Sequence, residues 1–242
     1  MSSGLPPSAL LLFAKAPEPG KTKTRLTPPL SRQEASRLQE AMILDLLEMT
    51  SALGVDRHLL ASPDARHPFF QRISSELAIP CKDQEGENLG ERMERASRCF
   101  FDEGFEKVVI IGTDAPTLPV RFIDDAFRGL DRSPVVVGPS LDGGYYLIGL
   151  RERLFFLFEG IAWGSERVLA QTLEKINSTG IGCHLLPFWY DIDRETDLSF
   201  AGRHLELLER RGEPLPARTF QFLRALRSSL TASSSGRSGG KE

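Results

Sequence analysis

Four cations, Lys15, Lys21, Lys23 and Arg25, gather in the loop that follows the apolar run Leu10-Leu11-Leu12-Phe13-Ala14. An apolar run of this length reads as a buried strand, and cations at the end of such a strand suit an anion held at a sheet edge, where α/β proteins bind their ligands. A phosphate is the natural anion: Arg25 can grip it bidentately, and Lys23 and Lys15 can act as point charges. A solvated basic loop accounts for the same residues equally well. Gly20-Lys21-Thr22 imitates a P-loop, but the first glycine of that motif is replaced by Lys15. Pro17 and Pro19 also remove two backbone donors that would wrap a phosphate, so a backbone cradle is excluded.

Carboxylates recur at two further places. Asp114 follows the apolar β-branched run Lys107-Val108-Val109-Ile110-Ile111 in the segment Gly112-Thr113-Asp114-Ala115-Pro116. There it can help hold Mg²⁺ or Mn²⁺ against substrate phosphates, since these ions use few protein ligands, or it can cap the turn before Pro116. In Asp191-Ile192-Asp193, alternation along an extended chain would turn both carboxylates to one side, making a small set with Asp114 around one cation. Capping of the following helix is the other reading, and Thr196 and Asp197 fit it better than Asp191 does. In Leu141-Asp142-Gly143-Gly144-Tyr145, Gly143 and Gly144 allow close backbone approach to a ligand, and Asp142 could act as a base on an acceptor hydroxyl. An Asp-Gly turn between two strands is the favoured reading of that segment. Trp163 offers a flat face for a sugar or base, whereas Ser165 reads as a helix cap.

The elements that must position these loops alternate from end to end. Strands are expected over about 10–14, 57–61, 78–81, 107–111, 134–137, 145–150 and 184–186. Helices are expected to start at Ser31, whose Ser-x-x-Glu spacing has the capping-box form, at Asn88, near 120, after Ser165, at Thr196 and near 217. The pattern predicts one doubly wound, mostly parallel α/β domain over 1–230, with a Ser/Gly-rich disordered tail at 231–242. A net charge of −3 provides no global basic field for nucleic acid. No apolar stretch approaches the roughly 20 residues of a membrane span, and the N-terminus lacks a signal-peptide pattern, so the chain reads as cytoplasmic. Cys81, Cys99 and Cys183 imply neither a disulfide framework nor a metal site and read as buried small residues.

Taken in order, Lys15-Ala16-Pro17-x-Pro19-Gly20-x-x-Lys23-Thr24-Arg25-Leu26, Gly112-Thr113-Asp114-Ala115-Pro116, Asp142-Gly143-Gly144-Tyr145-Tyr146 and Asp191-Ile192-Asp193 with Asp197-Leu198 resemble the bacterial glycosyltransferase-like family known as radical-SAM/selenodomain-associated transferase 1, or arsenosugar-biosynthesis glycosyltransferase. The resemblance implies a GT-A fold, the nucleotide-diphospho-sugar transferase architecture, with a nucleotide or sugar nucleotide as donor and a divalent metal at Asp114. Sugar-phosphate nucleotidyltransferases share that fold, and Asp191 falls on the metal-binding Asp of their late Asp-x-Gly-Thr segment, with Asp193 in place of the Gly. The first expectation is a metal-dependent glycosyltransferase with a small-molecule acceptor. The alternative is a nucleotidyltransferase that joins a nucleoside triphosphate to a phosphorylated small molecule, and a third is a non-catalytic nucleotide-binding module.

Overall fold

A computed structural model of the chain describes residues 7–235. Its elements in order are β1 (Ser8–Lys15), α1 (Arg32–Met49), β2 (Asp56–Ser62), α2 (Pro68–Leu77), β3 (Cys81–Asp83), α3 (Leu89–Asp102), β4 (Lys107–Gly112), α4 (Val120–Gly129), β5 (Val135–Pro139), β6 (Tyr145–Leu150), α5 (Val168–Thr179), β7 (Cys183–Leu185), α6 (Glu195–Arg210) and α7 (Ala217–Ser235). The chain divides into two compact units, one formed by Met1–Ala16 with Thr50–Asp191, the other by Pro17–Met49 with Ile192–Glu242. None of the described helices is long and apolar enough to cross a membrane.

The first unit holds one mixed sheet of seven strands among the described residues, in the order β3-β2-β1-β4-β6-β5-β7. β6 runs antiparallel to β4 and β5, and every other pairing is parallel. The carboxyl ends of six strands therefore share one edge, together with the amino end of β6. Strand order turns back on itself between β1 and β4, and the crevice outside the carboxyl ends at such a switch point is where doubly wound sheets bind ligands.

Residues 9–14 of β1 and 108–111 of β4 are buried on both faces, which is why both strands read as unbroken apolar runs. Ala9, Leu11 and Phe13 pack with Met93, Phe100 and Phe101 of α3, Ile148 of β6 and Phe155, Leu157 and Phe158 of a 3-10 turn. Each fully buried Leu or Phe in this cluster contributes about 1.5–3 kcal/mol. α3 starts where its sequence signal places it: the Asn88 side chain accepts from Glu91 N at 3.0 Å. Leu89, in the first turn, is exposed, and the buried side chains begin at Met93.

α2 is not among the helices expected from the sequence. Pro68 sits in its first turn and His67 Nδ1 caps it by accepting from Phe69 N at 3.2 Å. The helix ends on Ala78 in the left-handed region, which displaces the third strand from the expected 78–81 to 81–83. The cysteines also depart from expectation. Cys99 is exposed, and Cys81 and Cys183 are half-buried and free, with burial raising both thiols to about 11.

In the second unit Ser31 and Glu34 form the expected capping box: Ser31 N donates to Glu34 Oε2 at 2.8 Å and Glu34 N to Ser31 Oγ at 3.2 Å. Asp45, a buried carboxylate on α1, accepts from Arg218 N at 3.1 Å and Thr219 N at 2.7 Å, so one helix caps the start of another. Asp197 accepts from Asp193 N at 3.0 Å and Arg194 N at 2.7 Å at the head of α6. α7 continues to Ser235, into the tail expected from 231, and the remainder of that tail, 236–242, lies outside the described residues.

Candidate active site

The last paired residues of β1 and β4 are Phe13 and Gly112, and Lys15 and Asp114 each lie two residues beyond that pair. A cation and a carboxylate thus leave adjacent strands at the switch point. Lys15 is exposed and Asp114 half-buried. A Cβ added at Gly112 meets nothing within 4 Å, and Gly112 does not occupy the left-handed region. Neither packing nor backbone conformation requires a glycine there, and its missing side chain leaves open space at the edge.

The segment after β7 is brought to the same edge by several bonds. Tyr146 Oη donates to Pro187 O at 2.9 Å, Trp189 Nε1 to Thr117 Oγ1 at 3.1 Å, and Trp189 N to Pro139 O at 3.1 Å. Thr117 belongs to the loop that carries Asp114, so the segment ending in Asp191 lies against that loop. The Asp191 carboxylate accepts from Ser140 Oγ. Ser140, which the sequence reading did not single out, is 3% exposed. Its carboxylate partner is 51 residues away, a pairing that no local pattern signals.

The Asp142 loop takes the favoured turn form. Asp142 Oδ1 accepts from Gly144 N at 2.9 Å and the loop joins antiparallel β5 and β6. Gly143 has φ +89°, and a Cβ there would stand 2.2 Å from Glu166 O. Close approach to the backbone of Glu166 thus accounts for this glycine. At Gly144 an added Cβ would come within 3.2 Å of Asp142 Oδ1. Trp163 packs over Gly90, where a Cβ would fall 2.2 Å from Nε1, and meets Tyr145 edge-on with ring centroids 6.3 Å apart. Ser165 Oγ donates to Ala162 O and accepts from Arg167 N, a turn role just ahead of α5.

The second unit holds Lys23, Arg25 and Asp193. The backbone N–H groups of Lys21 and Thr22 donate to Glu18 O at 3.1 and 3.2 Å, so the glycine loop closes on itself rather than forming a cradle. Lys23, expected to reach a phosphate, has φ 47° in the left-handed region, a strain of about 1–2 kcal/mol for a residue with a Cβ. Its side chain is 3% exposed, and Nζ donates to Ile192 O at 2.7 Å and Asp193 Oδ1 at 2.8 Å. Burial pushes the Asp193 carboxyl up, but the charge of Lys23, its hydrogen bond, and the Arg25 and Arg194 guanidiniums outweigh burial and hold it below the ordinary carboxylate value. Arg25 itself is exposed.

The Lys23–Asp193 pair predicts a pH-dependent stability. A depressed carboxylate contributes stability above its unfolded value, near about 4, and that contribution is lost as pH falls through the folded value. Lys23→Met is expected to cost about 1–2 kcal/mol at pH 7, less than a fully buried pair because Asp193 is 37% exposed. Urea unfolding should show the difference from the parent shrinking towards pH 3. Equal differences at both pH values would exclude the pair as its source.

Among the described residues no group of three or more His, Cys, Asp or Glu side chains forms a metal site. Two carboxylates, Asp114 and Asp191, approach the one edge. Magnesium needs only one or two carboxylates when substrate phosphates complete its shell, so this donor set fits a phosphate-bound Mg²⁺ or Mn²⁺.

Comparison with known proteins agrees with this architecture. The chain is 33% identical to a candidate nucleotide-diphospho-sugar transferase of known structure from Desulfovibrio desulfuricans G20, with a TM-score of 0.84 over 93% of this chain and 96% of that one. A 4-diphosphocytidyl-2C-methyl-D-erythritol synthase from Anaerococcus prevotii DSM 20548 has a TM-score of 0.56 at 11% identity over 82% of this chain and 96% of that one, a likeness of fold alone. In sequence, 130 residues are 31% identical to the 2-phospho-L-lactate guanylyltransferase of Methanothermobacter thermautotrophicus, covering 53% of this chain and 56% of that relative. The chain therefore matches a little over half the length of that curated relative. The fold is that of the nucleotide-diphospho-sugar transferases, and the homologues are transferases. With residues 45–165 matching its model, the chain belongs to the family described as "Uncharacterized protein conserved in bacteria (DUF2064)".

Proposed function

We propose that the chain is a metal-dependent transferase that moves a nucleotidyl group from a nucleoside triphosphate to a phosphorylated small molecule. The observation that carries this reading is the exit of Lys15 and Asp114 from adjacent strands at the switch point, beside open space at Gly112. An acceptor phosphate oxygen attacks the α-phosphorus, the bond from that phosphorus to its bridging oxygen breaks, and pyrophosphate leaves. Lys15 would hold the phosphates and offset their charge. Asp114 and Asp191 would hold Mg²⁺ or Mn²⁺, which when bound neutralises charge on the leaving group. Asp142 is assigned no step, because its turn role accounts for it.

The guanylyltransferase relative supports nucleotidyl transfer to a phosphorylated hydroxy acid. A second reading, glycosyl transfer from a nucleotide-diphosphate sugar, is favoured by the match to the candidate nucleotide-diphospho-sugar transferase over 93% of the chain and by the family resemblance of the motif loops. Incubation with each ribonucleoside triphosphate, Mg²⁺ and 2-phospho-L-lactate or other phosphorylated hydroxy acids separates the two. The first reading expects pyrophosphate release that requires both a triphosphate and an acceptor. Turnover of a sugar nucleotide, with no pyrophosphate released from any triphosphate, would overturn it in favour of the second.

A further inference from the structure

Asp191 is delivered to the sheet edge on a segment clamped along its length, and its carboxylate accepts from a serine on another segment. β5 shifts register between Gly138 and Pro139, and an irregularity of this kind re-aims the side chains beyond it. Ser140 follows directly. Its backbone is fixed on both sides: Ser140 N donates to Gly144 O at 3.0 Å, Gly143 N donates to Ser140 O at 3.3 Å, and Ser140 bridges to Trp189. With the main chain held and the side chain 3% exposed, the hydroxyl points at Asp191 Oδ2 and donates to it. A serine that served only its own turn would bond a backbone group a few residues away. This one bonds a carboxylate on a different segment.

We propose that Ser140 is a positioning residue that orients the Asp191 carboxylate for a divalent cation. The inference rests on the reading of Asp191 as a metal ligand. A neutral donor fixed to one oxygen restricts rotation of a carboxylate about its side-chain bonds without competing for the cation as a lysine would. Outer-shell donors of this kind typically change metal affinity about 10–100-fold.

The test is Mn²⁺ binding to the full chain, followed by the loss of the free-Mn²⁺ electron paramagnetic resonance signal in the presence of GTP, for the parent, Ser140→Ala, Ser140→Thr, Asp191→Ala and the Ser140→Ala/Asp191→Ala double variant, with melting temperature measured on each. Ser140→Ala is expected to weaken protein-dependent Mn²⁺ binding about tenfold, Ser140→Thr to restore most of it by returning the hydroxyl, and Ser140→Ala to add nothing once Asp191 is gone. If Asp191→Ala weakens binding but Ser140→Ala leaves it at the parent value, or weakens it equally with and without Asp191, the role of Ser140 is overturned while Asp191 stands as a ligand. If the parent shows no protein-dependent Mn²⁺ binding, or Asp191→Ala binds as the parent does, the metal reading of Asp191 fails and the role of Ser140 falls with it.

Discussion

Asp114→Ala is expected to abolish metal-dependent nucleotide binding and to lower kcat/KM about 10³-fold, with the melting temperature close to that of the parent. The size follows from the chemistry. A carboxylate that anchors a cation against a leaving pyrophosphate stabilises charge that develops in the transition state, and losing one such preorganised electrostatic partner costs on the order of 3–4 kcal/mol, or 10²–10³-fold. Loss of the cation itself extends that towards the upper figure. The fold should tolerate the change because Asp114 is half-buried at the sheet edge while the flanking Thr113, Ala115, Thr117 and Leu118 hold the loop. Isothermal titration with GTP and Mg²⁺, beside thermal melts, checks both halves. If the variant binds nucleotide and metal as the parent does, Asp114 is only a turn residue ahead of Pro116.

Gly112→Leu is the second large effect. Leucine suits a strand end, the position is exposed, and its Cβ meets no neighbour within 4 Å, so stability should change by no more than about 0.5 kcal/mol. The side chain would project into the open space beside Lys15 and Asp114, where the proposed donor phosphates lie. Displacing them by about an ångström from the reacting geometry costs about 100-fold in kcat/KM. A variant that melts like the parent but has lost turnover separates occupancy of the crevice from damage to the fold. A fully active Gly112→Leu would mean that the nucleotide approaches elsewhere.

The fold was legible because its central strands are buried on both faces. Leu10–Leu12 and Val108–Ile111 announce themselves by composition alone, and Ser31 and Asn88 mark helix starts through side-chain-to-backbone bonds that span three residues. α2 was not legible: it is short, and its cap is a histidine rather than one of the common capping residues. Missing it moved the third strand, since Ala78, expected in a strand, closes the helix in a left-handed turn.

The site divides along the same line. Lys15 and Asp114 could be found because each directly follows an evident strand, and strand order then makes them neighbours. The partners of Lys23 and Asp191 could not be found. A sequence shows that a lysine is present, not that a carboxylate 170 residues later engages it, and a serine at a strand end carries no sign of the aspartate to which it donates. Asp191 and Asp193, read as one alternating pair, bond to Ser140 and Lys23 respectively. Gly143, which suits either an Asp-Gly turn or close approach to a ligand, is required by the backbone of Glu166. Glycine alone does not say what fills the space beside it: at Gly143 it is the backbone of Glu166, and at Gly112 no atom lies within 4 Å of an added Cβ.

The most direct measurement is an anomalous difference map, collected at the manganese edge, from crystals grown with Mn²⁺ and GTP. A manganese peak coordinated by Asp114 and Asp191 is expected, with nucleotide phosphates beside Gly112 and within reach of Lys15 at the carboxyl ends of β1 and β4. Nucleotide bound away from that edge, or manganese without contact to either carboxylate, would contradict it.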